Sequence, residues 1–123
     1  MDLQCFYQRF KIIFSIEYLV VSAAKARGTH LRIHFKHCRE IGQAIKGRSI
    51  AKARAYLENV LAFKEAIPFT KYTGGLGRHA VGKQYKAPGD KCGWPQKATK
   101  TFLDLLRNIE SNAEVSFKLQ HIF

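Results

Sequence analysis

The feature that most constrains this chain is a long stretch without hydrophobic periodicity, Phe69 to Lys97, set between two segments that read as helices. It holds six of the nine glycines and two of the three prolines, so no regular element can run through it. It sets Lys71, Arg78, Lys83, Lys86, Lys91 and Lys97 against one acid, Asp90, and threads Phe69, Tyr72, Tyr85 and Trp94 among them. So long a connection inside a compact domain is uncommon, and where it occurs it is functional or disordered. Glycines let a backbone approach a ligand closely. Cations neutralise phosphates, and aromatic faces stack on bases. The combination predicts a loop moulded on folded RNA, with a solvated, flexible basic loop as the plain alternative.

The charge balance points the same way. Lys and Arg number 21 against 9 acids, a formal net charge of +12. Self-repulsion on that scale opposes compactness and calls for an anionic partner. A membrane surface or an acidic protein would also satisfy the charge, but its distribution favours nucleic acid. Lys25, Arg27, Arg32, Lys36, Arg39, Lys46, Arg48, Lys52 and Arg54 fall in one stretch opposed only by Glu40. A chain of 123 residues, 46% hydrophobic, suits one domain with a modest core. The three cysteines, Cys5, Cys38 and Cys92, are odd in number and irregular in spacing, which argues against a disulfide framework and for a reducing compartment.

Residues Met1 to Ser22 differ in character and are read as an atypical apolar N-terminal extension (1–22) ahead of the domain proper (23–123). Ile12 to Val21 followed by Ser22-Ala23-Ala24 resembles a signal-peptide core with a small-residue cleavage site. Glu17 sits in the middle of that run, where a charge is costly, and the run is too short to span a bilayer. The reading taken is a buried strand or an added helix, and a cytoplasmic product with no membrane partner.

Leu31, Ile33 and Phe35 alternate with Arg32, His34 and Lys36, the pattern of a half-buried strand with a basic outer face. Ile41, Ala44 and Ile45 predict a short helix over Arg39 to Lys46, stopped by Gly47. Ser49 is a suitable N-cap for a second helix through about Ala66, closed by Pro68, with Ile50, Ala53, Leu57, Val60 and Leu61 on its apolar stripe. Pro95 suits the first turn of a third helix, which Ala98, Phe102, Leu105, Leu106, Ile109 and Ala113 carry to about Glu114. Val115 to Phe123 begins in alternation and reads as a terminal strand that pairs with Leu31 to Phe35.

Signals for chemistry are few. Gly77 to Gln84 nearly matches the phosphate-cradling G-x-x-x-x-G-K-[ST] loop, but Gln84 stands where a hydroxyl must reach Mg²⁺. The flanking residues also lack a buried strand before it and a helix after it. His34, His37, Cys38, His79 and Cys92 offer no paired metal-ligand spacing, and the plain reading is core cysteines and RNA-facing histidines. Glu58 and Glu65 are expected on a helix, paired with neighbouring Lys or Arg. Two classes remain: an RNA-binding structural protein, and a small basic nuclease using His79 with an acid. The second needs a carboxylate cluster for a divalent metal, which the sequence does not offer.

Lys25-Ala26-Arg27-Gly28, Leu31 to Lys36, Gln43 to Gly47 and Lys52 to Leu57 together resemble the eukaryotic form of one large-subunit ribosomal protein family, numbered twenty-two in bacteria and seventeen in eukaryotes. Ile67 to Tyr72, Gly74-Gly75-Leu76-Gly77-Arg78 and Glu110-Ser111-Asn112-Ala113-Glu114 extend the match, which runs in order from about Ala24 to Val115. The resemblance implies an α+β fold, a small antiparallel sheet packed with three helices. It implies binding to large-subunit rRNA near the polypeptide exit tunnel beside neighbouring large-subunit proteins, with no catalysis, cofactor or small-molecule substrate. The implied location is the cytoplasmic ribosome, with nucleolar assembly in a eukaryote. Charge and resemblance together nominate Lys25, Arg27, Arg32, His34, Lys36, Arg39, Lys46, Arg48, Lys52 and Arg54 as one RNA-binding region. They nominate Lys71, Tyr72, Gly74, Gly75, Gly77, Arg78, His79, Lys83, Lys86, Lys91, Trp94 and Lys97 as a second. The family continues into a further strand, a long basic hairpin and a closing strand. This chain is therefore expected to be C-terminally truncated and to lack the hairpin, with Met1 to Val21 covering the vacant sheet edge. The alternative is a truncated or divergent paralogue that binds RNA without assembling into ribosomes.

Overall fold

A computed structural model describes residues 24–120. Helix α1 spans Phe35–Ile45, α2 spans Ile50–Leu61 and α3 spans Gln96–Gln120. Between α2 and α3 lie two short strands, β1 (Ile67–Pro68) and β2 (Cys92–Gly93), paired antiparallel with Ile67 opposite Gly93 and Pro68 opposite Cys92. The expected class, a small antiparallel sheet packed with three helices, holds.

The apolar faces read from the sequence build the core. Cys38, Ile41 and Ile45 of α1 meet Ala53, Tyr56, Leu57 and Val60 of α2 and Ala98, Phe102, Leu106 and Ile109 of α3, all buried. Ile67 and Phe69 bring the sheet into the same cluster. Cys38 and Cys92 are buried free thiols, the core role expected for them. Burial pushes the Cys38 thiol up to about 11, which keeps it protonated and unreactive. The Glu110 to Glu114 motif also holds the fold. Glu110 pairs with Arg54 of α2, and Asn112 Nδ2 donates to the Lys25 carbonyl at 2.8 Å.

Several elements depart from the periodicity. Leu31 to His34 alternates in burial, with Leu31 and Ile33 half-buried and Arg32 and His34 exposed, but the backbone bends at Ile33 and pairs with no strand. Alternating burial reports only that the segment lies on a surface; a ladder also needs a straight backbone and a partner. The partner assigned to it is helical, because α3 runs on to Gln120. Residues 96–120 contain no Gly or Pro to stop the helix, and Val115, an apparent inward position, is 57% exposed. Helix α1 starts four residues earlier than expected. Its cap is His34, whose Nδ1 accepts from Lys36 N–H at 3.1 Å, and histidine is not among the usual capping residues. Helix α2 stops at Leu61 rather than Ala66, since the backbone turns left-handed at Phe63. Pro68 consequently lies in β1, and Glu65 lies beyond the helix. Ser49 has the extended backbone of a cap but makes no side-chain capping bond. Neither Glu58 nor Glu65 forms an ion pair among the described residues, and Arg54, one turn before Glu58, pairs with Glu110 instead. The apolar extension and its proposed cover for the sheet edge lie outside the described residues.

Candidate nucleic-acid interface

The long connection folds as two limbs. The first, Phe69 to Gly77, is fastened to α1 by several side chains, Glu40 above all, with Arg39 Nη1 also donating to the Thr70 hydroxyl at 2.9 Å. Glu40 is 1% exposed and lies where the connection leaves β1. Its Oε1 accepts from the backbone N–H groups of Lys71 (3.1 Å) and Tyr72 (3.0 Å). Its Oε2 accepts from the Thr70 N–H (3.0 Å), the Thr70 hydroxyl (3.1 Å) and Arg39 Nη1 (2.9 Å). Burial pushes the Glu40 carboxyl pKa up, but the amides of Tyr72, Thr70 and Lys71 and the Arg39 guanidinium outweigh it, leaving the value below the ordinary 4.5. A buried carboxylate this well satisfied is a fixed anchor rather than an acid catalyst. Lys36 Nζ adds a bond to the Gly74 carbonyl at 3.0 Å, and Lys91 Nζ one to the Thr73 carbonyl at 3.2 Å. The Phe35 ring meets Tyr72 edge-on at 6.0 Å, and His37 meets Phe69 at 5.8 Å. Burial, then the charges of His34 and Lys36, hold the His37 pKa below 6.5, favouring its neutral form.

The second limb, Arg78 to Lys91, is held by its own backbone. Arg78 bridges Lys91 in antiparallel fashion, and His79 N–H donates to the Asp90 carbonyl at 3.1 Å. A short 3₁₀ turn, Ala80–Lys83, fills the near match to the phosphate loop, so the strand–loop–helix that such a loop needs is absent there. Gly82 is the pivot: a Cβ on it would fall 2.5 Å from the Asp90 carbonyl oxygen, closer than any side chain tolerates.

The α1 N-terminus and the first limb lie side by side, joined by Lys36 and Gly74. The α1–α2 turn lies beside the second limb. The Arg48 guanidinium sits 4.2 Å above the Tyr56 ring, and Tyr56 meets Tyr85 edge-on at 6.5 Å. The two nominated regions therefore meet twice. Lys46, Arg48, Lys52, Lys71, Arg78, Lys83, Lys86 and Lys97 are exposed on the elements that make these joints or follow them, as are Arg32 and His34 just before α1. Lys25 and Arg54 are placed apart, gathered against α3 through Asn112 and Glu110, with Arg27 exposed nearby in sequence. Lys36, Arg39, Arg54 and Lys91 are only half-exposed and spend their charges on internal partners. Tyr72 and Trp94 are half-buried; His79 is exposed with its ring 4.9 Å from Trp94. Gly74, Gly75 and Gly77 are exposed. Gly75 alone of these three needs glycine for its backbone, at φ 72°. Among the described residues no group of three or more His, Cys, Asp or Glu is placed to hold a metal ion.

Sequence reasoning passed over Glu40 as a lone acid among cations. Its signal was that isolation, directly before Ile41 on a helical face. Gly82 and Phe63 carried no comparable signal.

The family model for ribosomal protein L22p/L17e matches residues 26–121. Over 93 residues the chain is 50% identical to large ribosomal subunit protein uL22 of Suberites domuncula, covering 76% of this chain and 49% of that protein. It is 47% identical to uL22A of Schizosaccharomyces pombe over 96 residues, 78% of this chain and 50% of that one. With uL22 of Zea mays it shares 48% over 93 residues, 76% and 54% respectively. The chain spans about half the length of the curated relatives it matches. That family is a structural, non-enzymatic one, and this chain belongs to it, the L22p/L17e ribosomal proteins.

Proposed function

We propose that the chain is a structural component of the large ribosomal subunit, binding rRNA near the polypeptide exit tunnel beside neighbouring large-subunit proteins and so supporting translation in the cytoplasm. The observation that carries the reading is the joining of two cationic regions by a buried, fully satisfied carboxylate. Glu40 spends its charge inside the protein, holding the backbone of the first limb against α1. The cations outside it, Lys71, Arg78, Lys83, Lys86, Lys46 and Arg48, remain exposed for phosphates. Membership of a ribosomal protein family supplies the class of RNA. Assembly would begin in the nucleolus of a eukaryotic cell.

The test is expression of an epitope-tagged full chain in a eukaryotic cell, followed by sedimentation of ribosomes through a high-salt gradient. Retention in the salt-washed large subunit, with mass spectrometry identifying peptides of this chain there, is the expected result. A chain that binds RNA in the lysate yet never enters the large-subunit peak would replace this reading with RNA binding outside the ribosome.

A further inference from the structure

One large aromatic side chain stands in the open. Phe63 is 65% exposed, and its backbone is left-handed at φ 58°. It occupies the position just past the α2 C-cap. Its N–H donates to the Val60 carbonyl at 3.1 Å, and the next N–H, of Lys64, donates to the Asn59 carbonyl at 2.9 Å. This pattern of helix ending is normally completed by glycine, because a side chain is strained in the left-handed region. A bulky aromatic there accepts that strain and recovers little by burial. Strain of this kind marks places where the side chain has another use.

Its neighbours indicate the use. The Phe63 ring lies 6.1 Å from Trp94, tilted by 50°, and His79 meets Trp94 on edge at 4.9 Å. The Trp94 indole N–H donates to the Glu65 carbonyl at 2.8 Å, which fixes the plane of the ring. Three rings thus converge from the end of α2, the second limb and the approach to α3. Exposed cations adjoin them in sequence: Lys64 follows Phe63, Arg78 precedes His79, and Lys97 lies in the first turn of α3. Among the described residues the other large apolar side chain so exposed is Val115, far along α3, so the rings are not part of a wider apolar face. Flat rings bordered by cations suit a base and its phosphates better than an apolar protein surface.

We propose that the exposed face of Phe63, backed by Trp94 and His79, is a platform on which an unpaired RNA base stacks, its phosphates neutralised by Lys64, Arg78 and Lys97. The proposal rests on the RNA-binding reading and names the element of RNA it takes at this spot.

Trp94 is the single tryptophan of the chain, so its emission reports on the platform alone. The full chain is titrated with a single-stranded oligoadenylate of about ten nucleotides, within the usual site size, and with a blunt RNA duplex carrying as many phosphates. The expected result is quenching by the single strand and little by the duplex. Phe63→Gly should weaken single-strand binding about tenfold, the loss of one base–aromatic stack, at an unchanged salt slope. The same substitution should raise the melting temperature, because glycine relieves the strained backbone, and Phe63→Tyr should retain binding. A purely structural Phe63 would not separate stability from affinity in this way. Salt-dependent binding of both RNAs with Trp94 unquenched, or with Phe63→Gly unaffected, overturns the platform and leaves the RNA reading standing. Binding of neither RNA overturns both. Intact RNA binding by Phe63→Gly, with loss of a self-association seen in the unmodified chain, assigns the rings to protein contact instead.

Discussion

The two limbs of the long connection solve one problem in opposite ways. Each must hold an irregular, cationic backbone in a fixed shape with only a few apolar side chains, such as Phe69 and Tyr85, packed against the core. The first limb borrows its order from α1: Glu40 gathers three consecutive backbone N–H groups, and Lys36 takes a carbonyl. The second orders itself, folding back so that Arg78 and His79 meet Asp90 and Lys91 with Gly82 pressed against the Asp90 carbonyl. One limb is fixed by a charge and the other by a missing side chain. A single substitution should therefore release one and leave its neighbour intact.

The largest effect is expected at Glu40. Glu40→Gln keeps the volume but turns an amide NH₂ toward backbone donors, leaving buried groups unpaired at a cost of about 3 kcal/mol. Hydrogen exchange should accelerate at the amides of Thr70, Lys71 and Tyr72, while those of His79 and Gly82 stay protected. Equal loss in both limbs would break the comparison. Gly82→Ala should do the reverse, costing about 2 kcal/mol as the Asp90 turn is pushed aside. Here protection should fall at His79 and Asp90 and persist at Lys71.

Acid should act on the first limb through Glu40. The folded Glu40 carboxyl lies below its ordinary 4.5, so its contribution to stability is present above that pH and is lost as pH falls through the lower folded value. His37, also held below its ordinary value, adds a smaller loss below pH 6.5, where the unfolded chain takes up the proton more readily. A melting curve followed from pH 7 downward should show a shallow decline, then a steep one, and the steep part should shrink in Glu40→Gln. The smallest effect separates adjacent glycines. Gly75→Ala should cost about 1 kcal/mol through its left-handed backbone. At Gly74, where a Cβ meets open space, alanine should be nearly silent in thermal melts.

The helices and the core were legible because period 3.6 in Ile41, Ile45, Ala53, Leu57, Phe102 and Leu106 is enforced by burial. The cationic character of the connection was legible from composition. The order within that connection was not. It depends on which carboxylate meets which amides, and a lone Glu40 looks like any other surface acid until α1 and the connection are brought together. The strand expected at Leu31 to Phe35 failed for a related reason. Alternating burial is a local property, whereas pairing depends on a distant segment, and Val115 onward continues a helix that no breaker interrupts. The α2 end was invisible because Phe63 adopts a conformation its residue type disfavours.

The central claim is that Glu40 makes two basic regions into one rRNA-binding surface, and a salt titration of binding to a large-subunit rRNA fragment tests it most directly. Arg78→Ala removes one exposed cation and should reduce the slope of log K against log salt by roughly 0.7–0.9. Glu40→Gln removes a negative charge, so by charge alone it should tighten binding. The account predicts weaker binding and a slope flattened by more than one contact, because the first limb would leave the surface, provided circular dichroism shows the helices still folded. Unchanged or tighter binding by Glu40→Gln at every salt concentration would contradict the claim, as would an unmodified chain that binds the fragment no better than a plain duplex of equal length.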